Sequence, residues 1–271
     1  MPELPEVETI KNELAPHIVG RTIVGIDIFW DRIVRQPSVQ DLKAGIAGQK
    51  IEGVGRRGKY LLLELSGGET LVIHLKLTGS LWRELPPEGD RFVRATIHLD
   101  NGTKIYFRDP RKFGKMWLIT DAAIATGKMG PEPLEPDFSA KVLKTRLRRH
   151  RIPIKAALLD QRILAGVGNL YADEALFSAG IHPMRPADSL SQKELKRLHK
   201  AIIGVLVAGI GNKGASVENY YRPDGSKGKA HTEFKVARHG GEPCPNCGTP
   251  IEYTKVRGRG TYFCPKCQPA G

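Results

Sequence analysis

The chain has no apolar run approaching the roughly 18 residues that a membrane-spanning helix needs, which sets membrane-embedded classes aside. The N-terminus also lacks the basic stretch and apolar core of a secretory signal. It carries acids instead, so a soluble, intracellular, cytoplasmic protein is expected. No internal repeat and no nucleotide-binding loop stand out. Cysteine is scarce, and all four copies fall in one pattern near the C-terminus. Acids are outnumbered, 29 against 42 Lys and Arg, giving a formal charge of +13 and a pI near 9.6. That excess suits a polyanionic partner, because Lys and Arg at phosphates release condensed counterions. An anionic membrane surface is the competing reading, but it calls for a basic amphipathic terminal helix, and the first helix here opens on acids. A merely basic soluble protein is the plain alternative.

With 271 residues, 40% of them hydrophobic, the chain can bury a core and divide into two domains. Val7, Ile10 and Leu14 fall at helical spacing, so a helix is expected from residue 3 to about 16, ended by Gly20. From Thr22 to about Thr120 the pattern turns to short strand-like runs: Ile23–Phe29, Ile51–Val54, Tyr60–Leu65, Thr70–Leu75, Ala95–Leu99, Thr103–Phe107 and Lys115–Ile119. Asp100-Asn101-Gly102 is a hairpin turn, and many short strands at this spacing point to a β-sandwich or barrel. Pro131, Pro133 and Pro136 break the composition and mark a linker. Helices are then expected near 139–149, 153–161, 170–179 and 191–210, the last opened by the capping pair Ser191 and Glu194. A long polar loop, 211–229, precedes a C-terminal stretch of short strands.

The cysteines read Cys244-x2-Cys247 and Cys264-x2-Cys267, a spacing that gives tetrahedral thiolate ligation of one structural Zn²⁺. Disulfides and a redox CxxC are the alternatives, and the first is disfavoured without a secretory signal. Between the knuckles, Arg257-Gly258-Arg259-Gly260 makes a hairpin tip whose arginines can fork onto phosphate, or are simply solvated. Gly166-Val167-Gly168-Asn169 precedes a helix start, where free backbone N–H groups hold anions, although Asn is also a common cap. The run Lys144, Arg146, Arg148, Arg149, Arg151 and Lys155 contains no acid and reads as a strand-tracking surface or a solvated face. Lys59 lies in a turn between two strands, suited to phosphate contact or proton transfer. Arg111-Lys112-Phe113 places an aromatic beside cations, which suits insertion into a base stack or, equally, a core phenylalanine.

The first six residues add a specific chemistry. With Met1 removed, Pro2 becomes a secondary amine, able to attack an electrophilic carbon and form an iminium, with Glu3 and Glu6 close by. The plain reading is a helix start in which Pro5 and the glutamates open the first turn.

Taken together, Pro2-Glu3-Leu4-Pro5-Glu6-Val7-Glu8-Thr9, Lys59, Gly166-Val167-Gly168-Asn169 and the four-cysteine hairpin resemble, in order and nearly end to end, bacterial formamidopyrimidine-DNA glycosylase. The resemblance implies a multidomain α+β protein: a β-sandwich with an N-terminal helix over 2–130, a linker over 131–138, a helix-two-turns-helix domain over 139–230 and a zinc finger over 231–271. It implies a monomer that holds damaged double-stranded DNA in the cleft between domains, with 211–229 capping the lesion. The implied reaction is excision of oxidised purines such as 8-oxoguanine, followed by strand cleavage at the abasic site. Pro2, Glu3, Lys59 and Arg259 are then the catalytic set, with Pro2 the nucleophile on C1′ and Glu3 the proton donor to the opening sugar. Glu6 helps to place the flipped nucleotide. Lys59, Asn169 and Arg259 hold phosphates, and Leu77, Arg111 and Phe113 fill the gap left by the flipped base. Cys244, Cys247, Cys264 and Cys267 bind the zinc.

Several positions depart from the family pattern. Leu77 stands where Met is usual, Arg91-Phe92-Val93-Arg94 where Lys-His-Asp-His is expected, Glu218 at an arginine position and Ala237 at a tyrosine position. Two other readings are therefore weighed: an endonuclease VIII-like enzyme for oxidised pyrimidines, and a non-catalytic zinc-containing DNA-binding module. Leu4, usually Gly in the pyrimidine enzymes, and the long 211–229 loop favour purines.

Overall fold

A computed structural model describes residues 1–84, 86 and 90–270. The chain forms two compact units, one of Met1–Gly127 with Ile210–His231, the other of Lys128–Gly209 with Thr232–Gly271.

In the first unit, α1 spans Leu4–Ile18, two residues further than the periodicity suggests. Its Val7, Ile10, Leu14 and Ile18 are buried, as the i, i+3/i+4 spacing requires. The strands are β1 (Ile23–Ile28), β2 (Val34–Gln36), β3 (Ile51–Arg57), β4 (Tyr60–Leu65), β5 (Thr70–His74), β6 (Ser80–Trp82), β7 (Val93–Leu99), β8 (Lys104–Arg108) and β9 (Lys115–Ile119). They make a four-stranded sheet ordered β1-β7-β8-β6 and a five-stranded sheet ordered β2-β9-β5-β4-β3. Inward residues of both, including Ile26, Ile97, Phe107, Leu61, Ile73 and Met116, share one core with α1, so the unit is the expected sandwich. The short α2 (Val39–Ile46) lies among what was read as strands only. Its Ser38 cap, accepting from the Asp41 N–H, and its buried Leu42 and Ile46 are the signals that identify it. A one-turn α3 (Ala123–Thr126) follows β9.

Tyr220, late in the chain, belongs to the first unit's core. The 211–229 loop, grouped in the sequence reading with the helical domain, is gathered by its contacts into this unit. It closes on itself through Lys229 N–H to Asn212 O, 2.8 Å, and Ala230 N–H to Gly214 O, 2.9 Å. Arg222 grips Glu13 of α1 with Nη2 at 2.8 Å.

The second unit holds α4 (Ala140–Leu147), α5 (Ile154–Leu159), α6 (Asn169–Ala179) and α7 (Gln192–Gly211), the last running into the first unit at Ile210. Ser191 and Glu194 form the expected cap, with Ser191 N–H donating to Glu194 Oε2 at 2.8 Å. The antiparallel ribbon β10 (Glu252–Val256) and β11 (Arg259–Phe263) ends the fold. Its two-residue turn, Arg257-Gly258, has φ of +45° and +76°, the left-handed pair that a tight hairpin demands.

Candidate functional site

The start of α1 gathers three of the singled-out residues. Pro2 is buried, and Glu3 and Glu6 are 3% and 2% exposed. The Glu3 N–H donates to Glu6 Oε2 at 2.7 Å, and the other oxygen of Glu6 accepts from the Ala215 N–H at 2.8 Å. Glu6 is thereby held from two directions, by its own helix start and by the neck of the late loop. Gly214 makes that approach possible, since a Cβ there lies 3.0 Å from Glu6 Cγ and 2.7 Å from the Tyr220 ring, at a φ of +79°.

Lys59 sits in the two-residue turn joining β3 to β4, 5% exposed. Arg56 ties this turn to α1, with Nε on Glu8 Oε2 at 2.7 Å and Nη1 on Gly58 O at 3.0 Å. Burial alone raises the Glu8 carboxyl, but hydrogen bonds from Lys11 and Arg56, with their charges, outweigh it and hold Glu8 below the usual range. Neither Glu8 nor Arg56 was read as positioning the lysine; a charged pair across 48 residues leaves no local pattern to find. His74 is a second group that the sequence did not offer. Burial foremost, then the charges of Lys76 and Lys59, push its imidazole down to about 3, so it stays neutral. Its Nδ1 accepts from the Lys76 N–H at 2.9 Å, and its ring meets Tyr60 edge-on at 4.4 Å.

Leu77 lies in the β5–β6 loop, and Arg111 and Phe113 lie in the β8–β9 loop. Leu77 and Phe113 are 36% and 43% exposed, so Phe113 is no core residue. The Arg111 guanidinium stands 4.9 Å from the Phe113 ring centre.

In the second unit, Asn169 opens α6 and its Nδ2 donates to Gly260 O at 3.0 Å, which brings it beside exposed Arg259 on β11. Lys155 departs from the expected strand-tracking surface: it is fully buried, not solvated. Its Nζ donates to Gly260 O at 2.7 Å and Thr261 Oγ1 at 2.8 Å, and pairs with Asp173 Oδ1 at 2.7 Å. Burial pushes the Asp173 carboxyl up to about 7 against the pull of Lys155, and the Tyr262 N–H donates to its other oxygen at 3.2 Å. A basic run says nothing of which member turns inward; the buried acid one helix away decides it. Of the remaining cations, Arg146, Arg148 and Arg149 line an open groove of about 840 Å³ together with Lys141 and Arg162.

The four cysteines converge, with Sγ atoms within 4.8 Å of one another. Neighbouring sulfurs lie 3.5 to 3.8 Å apart. A tetrahedral Zn²⁺ with bonds of about 2.3 Å sets sulfur–sulfur edges of about 3.8 Å, so Cys244, Cys247, Cys264 and Cys267 fit one structural zinc. Cys244 and Cys264 pack with Phe177 of α6, Val236 and Ile251. Glu174 of α6 accepts from the N–H groups of Lys235, Val236 and Ala237 at 2.8–3.0 Å, pinning the segment that enters the finger.

Three family models match this chain: the formamidopyrimidine-DNA glycosylase N-terminal domain over residues 1–116, the H2TH domain of the same glycosylase over 129–220, and a zinc finger found in FPG and IleRS over 241–270. A formamidopyrimidine-DNA glycosylase of Desulforamulus reducens is 45% identical over 278 residues, covering 100% of both chains. One of Chloroflexus aurantiacus is 46% identical over 272 residues, covering 99% of this chain and 98% of the relative. Among solved structures, the MutM (FPG) protein of Thermus thermophilus superposes with a TM-score of 0.90 at 41% identity over 100% of both chains. A Lactococcus lactis Fpg in complex with DNA containing an abasic site gives 0.90 at 37% identity, covering 98% of this chain and 99% of that one. On matches that run the length of the chain, this protein belongs to the formamidopyrimidine-DNA glycosylase family.

Proposed function

We propose that this DNA glycosylase of base excision repair removes oxidised purines and then cuts the strand, using the secondary amine of Pro2. The observation that carries the reading is the buried start of α1, where Pro2 and Glu3 adjoin a Glu6 fixed on both oxygens. The relatives' name specifies formamidopyrimidine lesions, and Lactococcus lactis structures hold DNA containing Fapy-dG or an abasic site. The substrate is damaged double-stranded DNA, met by a monomer in the bacterial cytoplasm; no helix among the described residues is long and apolar enough to cross a membrane.

Once Met1 is removed, the Pro2 nitrogen attacks C1′ of the flipped nucleotide and the glycosidic bond breaks, its electron pair leaving with the base, which takes up a proton. Glu3 protonates the sugar ring oxygen as the ring opens to an iminium. The iminium acidifies C2′–H; loss of that proton expels the 3′ phosphate, and a second elimination expels the 5′ phosphate. Water then adds to the remaining iminium, which releases the sugar fragment as an aldehyde and regenerates the Pro2 amine. Glu6 places the flipped nucleotide. Lys59, Asn169 and Arg259 hold backbone phosphates, while Leu77, Arg111 and Phe113 occupy the vacated stack. The zinc holds the β10–β11 ribbon that carries Arg259, and takes no part in bond breaking.

Borohydride reduction of Met1-free protein on duplex DNA carrying 8-oxoguanine opposite cytosine should trap a covalent complex. Pro2→Gly, which leaves a primary amine, should trap less. No trapped complex from the wild type on this duplex or on an abasic site would overturn the lyase assignment. Faster excision of 5-hydroxycytosine than of 8-oxoguanine would move the substrate to pyrimidines.

A further inference from the structure

We infer that Asp109 is the positioning residue that sets both gap-filling loops at once; the inference rests on the gap-filling role proposed above for Leu77, Arg111 and Phe113. Asp109 follows β8 immediately and is fully buried. Its two carboxylate oxygens serve different stretches of chain. Oδ1 accepts from the Thr78 hydroxyl, one residue past Leu77, and from the Arg111 N–H at 3.3 Å. Oδ2 accepts from the Gly114 N–H at 2.7 Å, one residue past Phe113. The Arg111 N–H also reaches Thr78 Oγ1 at 3.3 Å, which joins the loops directly. Below them, the Phe107 ring fills the space against both Gly79 and Gly114, where a Cβ lies 2.9 Å and 2.5 Å from it.

Two lysines complete the symmetry. Lys76 and Lys112 each precede an exposed apolar side chain, and their φ angles are +56° and +60°, a region that side chains other than glycine rarely adopt. Such backbone persists only where its surroundings over-determine it. Lys112 Nζ stands 4.1 Å from the Trp30 ring centre, a contact that ties the β8–β9 loop to the segment following β1. The apolar wedge and the arginine–aromatic pair are therefore presented by two strained loops fastened to one buried carboxylate. A carboxylate is required because two loops need two acceptor oxygens. An amide of the same shape has one acceptor, so one loop faces an NH₂ group whichever way it turns.

Asp109→Asn tests this with three readouts: excision of 8-oxoguanine from duplex DNA, borohydride trapping on single-stranded abasic DNA, and fluorescence of 2-aminopurine set opposite an abasic analogue in a duplex. Misplacing the wedge should slow duplex excision by roughly 10- to 100-fold and reduce the 2-aminopurine change, while trapping on single-stranded abasic DNA stays within about two-fold. Thr78→Val, which keeps the shape and removes one tie, should shift the same two readouts by less; it also serves if Asp109→Asn fails to fold. Duplex excision within about two-fold of wild type overturns the inference, as does abasic trapping that falls in step with excision. A wild type that traps on no substrate overturns instead the function on which the inference rests.

Discussion

His74 shows how one buried base is held neutral by its surroundings, two lysines among them. Between Lys59 and Lys76 a protonated imidazole adds a third positive charge in a place with little water to screen it. In the unfolded chain this histidine takes a proton near pH 6.5, whereas in the fold it stays neutral down to about pH 3. Between those values the unfolded chain binds more protons, so this stabilisation is complete above pH 6.5 and is lost as pH falls toward 3. One such group contributes a slope of up to about 1.4 kcal/mol per pH unit. Urea denaturation at about pH 7 and about pH 4.5, on either side of the unfolded value, should show His74→Gln losing less stability on acidification than wild type; equal losses would mean that the histidine does not titrate with unfolding. That Pro2, Glu3 and Glu6 lie together was legible because all three fall at one helix start. Arg56 was not, because its partner Glu8 lies 48 residues away, and Asp109 and His74 were not, because nothing local distinguishes a buried carboxylate or imidazole from an exposed one.

At the scale of elements, α6 does the most to organise the second unit. Its Asn169 and Asp173 reach β11, its Glu174 holds the backbone at 235–237, and its Phe177 packs on the zinc knuckles. On its other side Tyr171 lies so close to α7 that a Cβ on Gly209 falls 2.6 Å from the ring, while a Cβ on Gly204 meets nothing within 4 Å. Alanine gains up to about 1 kcal/mol over glycine in a helix, but overpacking beside a fully buried ring costs roughly 1–3 kcal/mol. Gly204→Ala should thus raise the melting temperature and Gly209→Ala should lower it; a rise in both would mean that Tyr171 has room to move. The helices and most strands were legible from period and punctuation. The helix α2 was missed because its eight residues offer only two buried apolar positions, Leu42 and Ile46, too few to set a period against strands on either side. Lys155 was misplaced because the charged run around it is mostly solvent-facing, and the residue that pairs with it lies on another helix.

For the molecule as a whole, the charge of +13 and the zinc govern affinity in different ways. Phosphate contacts make binding weaken steeply with salt in any DNA-binding version of this chain. Zinc acts on one part only. The first unit carries its own core, formed by two sheets and α1, whereas the core cluster of the finger includes Cys244 and Cys264 themselves. Chelation should therefore release the β10–β11 ribbon, abolish tight DNA binding and leave the β-sandwich folded, as followed by near-ultraviolet circular dichroism and hydrogen exchange. Exchange that rises evenly through both units on chelation would show one cooperative block instead.

Glu6 takes a hydrogen bond from the Ala215 N–H, and Tyr220 fills part of the core beside it. A ribosome adding roughly 5–20 residues per second has released the last sandwich strand, which ends at Ile119, several seconds before those two residues emerge. During that interval the nascent chain already carries Pro2 and Glu3, while the Glu6 carboxylate still lacks its tie to the Ala215 N–H. Under the proposed mechanism the nucleophile is the first part of the site to be made, and Glu6 is not held from its second side until the helical segment has been synthesised and the chain has come back. On that mechanism, translation order keeps a partly made enzyme from having a finished active site.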